Sequence, residues 1–463
     1  MQTSENVVNP PVMRPHVVFL NRSFWPDAEA TGQLLTELAL DLTQWFDVTV
    51  IAGLPNHVAA EVGSYPTVAG TENYRGISIQ RVWHTRFPKH SLLGRLVNLI
   101  TFTLGAWRTA RRLRHRPEVL VVETDPFFLP LVGRRLQHQF PGCPLVCYLQ
   151  DLYPDIAVVV GKIQEGWITR TIRRMLFNVY RQADRVIVLS RDMQRRCESY
   201  GVPASLLEVI SNWADTDLVR PIKADNAFRR EQSLDNKFIV MYSGNMGLVH
   251  DLDTVLDAAD LLRHRTEIEW VFIGDGAQRK ALTQRVKQMG LTNVRFLPYQ
   301  PRADLAQSLS AADVHLVTLR TDAASCVMPS KLYGILASAT PVIAVTEPET
   351  DLADLIDDHE IGFTCTPQDD KALAERIEEL ASDADLCQQM GMKARQLAVT
   401  EFSRARQTPR LAELLCRVMR REIPNSLAER LLPTTVNACD NDAEGSSAIC
   451  RGTVGSISSK RSF

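Results

Sequence analysis

Short runs of apolar, largely β-branched residues recur along the chain, and each gives way to a polar or glycine-rich segment that feeds a helical pattern. The first run is His16–Leu20, followed by the polar segment Asn21–Thr31 and a helix from Gly32 with Leu34, Leu38 and Leu42 on one face. Further strands are predicted at Asp47–Ala52, Ile77–Trp83, Val119–Glu123, Leu145–Leu149 and Arg185–Ser190, with helices over about 95–114 and 169–182 between them. Strands that alternate with helices imply βαβ crossovers and a mostly parallel sheet. The pattern then restarts with Phe238–Tyr242, Glu269–Ile273, Val294–Leu297, Val314–Thr318 and Val342–Val345, again with helices between. The expectation is an α/β chain of two Rossmann-like, doubly wound domains facing across a cleft.

Its boundaries are read as a flexible N-terminus over 1–15, a first domain over 16–216, a linker over 217–235 and a second domain over 236–425. The linker is polar and charged and carries Pro221. From 426 to 463 the periodicity fades into Ser, Thr, Asn and Gly, which predicts a disordered tail without chemistry.

With 463 residues, 45% of them hydrophobic, the chain can fill two cores. A net charge of -2 gives no basic excess and argues against a nucleic-acid partner. Nine cysteines, an odd number and scattered, read as reduced thiols; Cys143 and Cys147 have no accompanying His or second Cys pair, so no metal is expected. Residues 1–15 lack the apolar core of a signal peptide, and no stretch is long and apolar enough to span a bilayer. The expected location is the cytoplasm, either free or on the inner face of the membrane. Leu92, Leu93, Leu96, Leu99, Ile100 and Leu104 precede a run of arginines from Arg108 to Arg116, which could lie on anionic lipid. Packing on the sheet explains the apolar face equally well; the density of arginine tips the reading towards lipid.

Ligands of doubly wound sheets bind beyond the carboxyl ends of the strands, so the residues just after each strand carry the candidate chemistry. Tyr242-Ser-Gly-Asn-Met-Gly247 and Ile273-Gly-Asp-Gly276 are strands that run into glycine turns, suited to a close-approaching anion or to a plain turn. Lys331 follows Pro329 and Ser330 in the first turn of a predicted helix, where a cation opposes the helix dipole. An anion held between them would account for it, against the alternative of a solvated lysine. In the first domain, Asp151, Tyr153 and Asp155 cluster after a strand and could orient sugar hydroxyls or move protons, although helix capping alone is a commoner role. Glu123 and Asp125 form a weaker version of the same pattern, and the loop Phe24–Gly32 could close over a ligand.

Over about residues 16–422 the sequence resembles the family 4 glycosyltransferases of the GT-B fold, in particular the branch of colanic-acid, capsule and O-antigen synthesis. The motifs are Phe24-Trp-Pro-Asp with Ala30–Leu34, Gln150–Asp155, Val188–Ser190, Asn212–Asp215, Tyr242–Gly247, Gly274–Gly276 and Pro329–Tyr333 with Pro341-Val342, in that order. The resemblance implies a metal-independent, cofactor-free enzyme that retains anomeric configuration. Its expected partners are a nucleotide sugar, a lipid-linked saccharide acceptor and an anionic membrane surface. It places Gly244, Asn245, Gly247, Asp275, Ser330 and Lys331 at the donor phosphates, Tyr299 at the base and Gly32 opposite. Asp151, with Lys331, falls among the catalytic residues, Thr31, Tyr153 and Asp155 fall on the acceptor side, and the last predicted helix, about 409–420, would cross back to the first domain. The sequence departs from the family where two Glu are usual: Cys326 and Gly334 stand there, with Glu347 and Glu349 as candidate substitutes, and Ala339 replaces a usual Gly. The alternatives are a nucleotide-sugar epimerase of the same fold and a catalytically impaired assembly partner.

Overall fold

The computed structural model describes residues 14–27, 29–55, 68–87 and 92–432. The first lobe is built on β1 (His16–Leu20), β2 (Asp47–Gly53), β3 (Gly70–Tyr74), β4 (Ile77–Val82), β5 (Val119–Glu123), β6 (Leu145–Tyr148), β7 (Arg185–Val188) and β8 (Leu207–Val209). These form one sheet in the order β3-β4-β2-β1-β5-β6-β7-β8, parallel except for the edge strand β3. Every residue of β1 and β5 is buried, as expected of strands covered on both faces, whose sequences are continuously apolar rather than alternating. Helix α1 (Ala30–Leu42) joins β1 to β2, whereas α2 (Leu92–Ala110), α3 (Leu129–Gln139) and α5 (Trp167–Tyr180) join strands in the opposite direction. Right-handed crossovers therefore put α1 on one face and α2, α3 and α5 side by side on the other. Between them come the short α4 (Asp155–Val159) and, after β7, α6 (Arg191–Ser199), capped by the Ser190 side chain at Met193 N.

The second lobe is an all-parallel sheet of β9 (Phe238–Ser243), β10 (Ile268–Ile273), β11 (Val294–Leu297), β12 (Val314–Thr318), β13 (Val342–Val345) and β14 (Gly362–Cys365). Its order is β11-β10-β9-β12-β13-β14. In each lobe the strand order reverses once, between β1 and β5 and between β9 and β12. Crevices for ligands open at such points.

Two readings of the chain's organisation change, at the linker and at residue 426. The linker over 217–235 is packed on the second lobe: Ile222 N donates to Ser310 Oγ at 3.0 Å, Lys223 Nζ to Ala312 O at 2.6 Å, and Arg229 pairs with Asp313 at 3.2 Å. Its charges looked solvated only because their partners are far away in sequence. The last long helix spans Arg404–Met419 and returns to the first lobe, where Arg404 pairs with Asp41 at 2.7 Å and Thr408 Oγ1 donates to Asp41 at 2.9 Å. A helix also runs over Asn425–Leu431, with Leu427 buried and Trp45 Nε1 donating to Ser426 Oγ at 3.1 Å, so residue 426 does not begin a tail. The expected flexible N-terminus before residue 14 and the tail beyond 432 lie outside the described residues.

Candidate active site

At the edge of the second sheet, β9 and β10 end in register, Ser243 opposite Ile273. Gly244 follows with φ +130° and Gly274 with φ +129°, conformations that a side chain strongly disfavours. A Cβ on Gly274 would overlap the Gly244 carbonyl oxygen, and one on Gly244 would stand 3.1 Å from Lys331 Cε. Bare backbone is therefore required where the two turns and the lysine converge. Met246 N donates to Asp275 O at 2.8 Å and Tyr242 OH to Asn245 O at 2.7 Å, which locks the turns together.

Lys331 begins the helix Lys331–Ala337. Its ammonium lies 3.6 Å from the centre of the Tyr242 ring, beneath Gly244, and is buried without a hydrogen-bond partner. Burial holds its pKa well below the ordinary lysine value. A cation desolvated and unpaired in this way is unfavourable until an anion joins it. Nearby, His250 is buried, donates from Nδ1 to Thr318 O at 2.6 Å, and is pushed down to about 3 by burial and then by Lys331, so it stays neutral. Ser330 makes no side-chain cap bond. Tyr299 is exposed, its ring edge against Gly274 and its hydroxyl 3.4 Å from Asp275 O. The Asp275 side chain is taken up by its own turn, accepting from Gly276 N at 2.8 Å, while Asn245 is exposed with its amide against Gly247.

The facing edge of the first sheet is rich in carboxyl groups. At its switch point Arg22 pairs with Asp125 at 3.1 Å, and Ser23 Oγ donates to Asp125 at 2.6 Å. Glu123 is buried with one oxygen unpartnered, and burial raises its pKa well above the usual carboxylate range. Asp151 is raised to about 6 by burial and then by the Asp125 carboxylate. Gln150 N and Asp151 N both approach Thr124 Oγ1, which fixes this loop to β5. Tyr153 stacks on Phe127 with ring centres 4.9 Å apart. Asp155 is instead committed to structure: it is buried and accepts from Arg173 and Arg196, each at 2.8 Å, and from Tyr200 OH at 2.9 Å. That carboxylate was expected on the acceptor side, yet its lone pairs are already filled by the α4–α5–α6 packing. Gly32 is buried in α1 against the backbone of Ser23 and Phe24, with Thr31 partly exposed beside it.

The two edges meet. Leu152 N donates to Cys326 O at 2.9 Å and Asp151 bridges to Val327, so the Asp151 loop is stitched to the segment that leads into Lys331. On the other side Arg302 pairs with Glu37 of α1, whose other oxygen accepts from Trp213 Nε1 at 2.8 Å. Gln33 and Glu37 thus tie the helix that carries Thr31 and Gly32 to the loop after Tyr299.

Two sequence profiles divide the chain between them: "Glycosyl transferase 4-like domain" matches residues 30–213 and "Glycosyl transferases group 1" matches residues 224–397. WbjE of Pseudomonas aeruginosa, a probable glycosyltransferase, is 30% identical over 302 residues, covering 64% of this chain and 74% of its own. The chain belongs to the family 4 glycosyltransferases. WcaI of Escherichia coli strain K12, by assignment a colanic acid biosynthesis glycosyltransferase, is 29% identical over 70% of this chain and 81% of its own. The fold is GT-B. Sucrose-phosphate synthase of Thermosynechococcus elongatus superimposes with a TM-score of 0.71 at 19% identity over 88% of this chain and all of its own. HepE of Anabaena, solved with UDP and glucose, superimposes with a TM-score of 0.67 at 19% identity over 87% of this chain and all of its own. Neither profile nor relative supports the epimerase alternative.

In this glycosyltransferase Cys326 is buried in the seam, its thiol pushed up to about 11 by burial, and provides no carboxylate. At Gly334 an added Cβ would meet Leu309 Cδ1 at an ordinary 3.4 Å, so the position is open. Of the candidate substitutes, Glu347 accepts from Asp322 N at 2.7 Å, and Glu349 is exposed with φ +60°. Tyr242, His250 and Arg22 were given no role of their own from sequence, and Asp125 was read only as a weak carboxylate candidate. Arg22 could have been given one, since it directly follows the strand at the switch point; Tyr242 reads as one more buried strand residue.

Proposed function

We propose that this glycosyltransferase moves a hexosyl or N-acetylhexosaminyl group from a nucleoside diphosphate sugar to a lipid-linked saccharide, with retention, in cell-surface polysaccharide synthesis. The observation that carries the donor side is the unpartnered Lys331 ammonium beneath the Gly244 turn, a ready counter-charge for a diphosphate. The UDP complex of HepE and the relatives named above support the nucleotide and the pathway class. As the anomeric carbon–oxygen bond breaks, its electron pair leaves on the diphosphate, where Lys331 and the turn's N–H groups stabilise the developing charge. The acceptor hydroxyl oxygen bonds to the anomeric carbon, and its proton passes to the departing diphosphate oxygen. Asp151, at the seam, reaches the donor sugar in this reading, and Tyr299 lies under the base.

The test is release of nucleoside diphosphate from a panel of UDP-sugars with and without a lipid-linked saccharide, with the product anomer assigned by NMR. Release that requires the acceptor and gives the donor's anomer is expected. Release without an acceptor, or an inverted product, contradicts the proposal, and failure to bind any donor returns the chain to an assembly role.

A further inference from the structure

The layer formed by α2, α3 and α5 presents a surface that water alone does not favour. On α2, Leu93, Leu96, Val97, Ile100 and Leu104 are exposed, Leu93 at 78%, while Phe102, Ala106 and Ala110 face the core. The exposed set is one helical stripe. Beyond Leu104 the chain continues into exposed Arg108, Arg111 and Arg112. On α5, Trp167, Ile168 and Met175 are exposed along one side, Trp167 at 74%, with Arg170 and Arg174 beside them. Most of the large apolar side chains exposed among the described residues lie on these two helices or the segments leading into them.

The charge is equally one-sided. The three helices contain no Asp or Glu, and arginine is their only formally charged residue. In a chain of net charge -2 that asymmetry is local. A symmetric pair of chains meeting through this face would set arginine against arginine, which argues against a second copy. An apolar stripe flanked by arginines, with Glu165 before α5 already paired to Arg173 at 2.8 Å, suits the boundary of an anionic bilayer. Both helices start at the carboxyl end of the sheet, the end that holds the cleft.

We propose that the α2–α3–α5 face docks on an anionic membrane, with the apolar starts of α2 and α5 in the headgroup–acyl boundary and the cleft mouth beside the bilayer. This deepens the reading above, because it brings a lipid-linked acceptor to the cleft, but the binding itself needs no turnover. The test is co-sedimentation of the full chain with vesicles of phosphatidylcholine alone or with about 30% phosphatidylglycerol. Binding is expected only to the anionic vesicles, falling at least tenfold between roughly 0.05 and 0.5 M salt. The variant Leu96→Asp/Ile100→Asp/Trp167→Ser, altered only at exposed positions, should bind at least tenfold more weakly while keeping its transfer to a water-soluble acceptor. No vesicle binding, equal binding to neutral vesicles, or an unaffected variant overturns the proposal. So does a concentration-dependent oligomer that the variant dissolves without any vesicle binding. Transfer to soluble acceptor without membrane binding removes the docking and leaves the transferase reading; binding without transfer to any acceptor does the reverse.

Discussion

The two edges of the cleft solve opposite electrostatic problems. On the second lobe, glycine turns leave backbone exposed and a single ammonium, Lys331, is buried with only the face of Tyr242 beside it. On the first lobe, Glu123, Asp125 and Asp151 crowd together, and two of the three have pKa values raised by burial. One edge buries an unpaired amine and the other crowds carboxyl groups together. An anionic donor group satisfies the first, and hydroxyl-rich sugar satisfies the second, since carboxyl oxygens accept from hydroxyls. The polarity of the cleft thus follows from which residues end the strands, not from the central strands, which are buried and apolar in both lobes.

The largest expected effect breaks the glycine side of this contrast. Gly274→Ala must place a Cβ into the Gly244 carbonyl at a φ of +129°, and should cost about 3 kcal/mol or more of stability in urea denaturation. Unchanged stability would mean that the turns are not held as described. Next, Lys331→Met should weaken UDP binding roughly 100-fold, in line with about 3 kcal/mol for a charged contact. The same variant should raise the melting temperature of the unliganded protein, because it removes a buried amine that makes no hydrogen bond. A folded-state pKa below the ordinary 10.5 means that the unfolded chain binds more protons between the two values, so wild-type stability rises with pH across that window. Lys331→Met should lose that slope.

On the carboxyl edge the sign is reversed. Asp151 is held at about 6 instead of its ordinary 3.8, so its protonated form favours folding and that contribution is lost as pH rises through about 6. If the carboxylate is the working form, turnover should climb through about pH 6, and Asp151→Asn should flatten the climb and lower the plateau. An unchanged pH profile in that variant would detach Asp151 from the reaction. The smallest effect belongs to Ala339, which has φ +55° where the family usually has Gly. Ala339→Gly should gain about 0.5–1 kcal/mol in the same denaturation assay with no effect on UDP binding.

Both sheets and most strands were legible because a strand buried on two faces writes itself as an unbroken apolar run. The edge strand β3, Gly70-Thr-Glu-Asn-Tyr74, was not: it is largely exposed and polar, and only the turn at Arg75 and Gly76, both with positive φ, closes its hairpin with β4. The helix Asn425–Leu431 was missed for a related reason, since a single fully buried leucine and contacts of Ser426 and Arg430 with Trp45 give it no periodic apolar face to read. In the site, Lys331 was legible from its awkward place in a helix's first turn. Asp155 was not, because a carboxylate after a strand looks the same in sequence whether it faces the cleft or, as here, Arg173 and Arg196.

The account turns on the charge state of Lys331, and calorimetry of UDP binding reads it directly. Above about pH 7.5 the nucleotide's own phosphates, with a pKa near 6, have finished titrating. Wild-type protein titrated with UDP in two buffers of different ionisation heat, at a series of pH values from there towards the ordinary lysine value, should take up more protons than Lys331→Met over part of that range, as the diphosphate restores the ammonium. Tight binding with no proton uptake in wild type, and equal affinity in the variant, would contradict it.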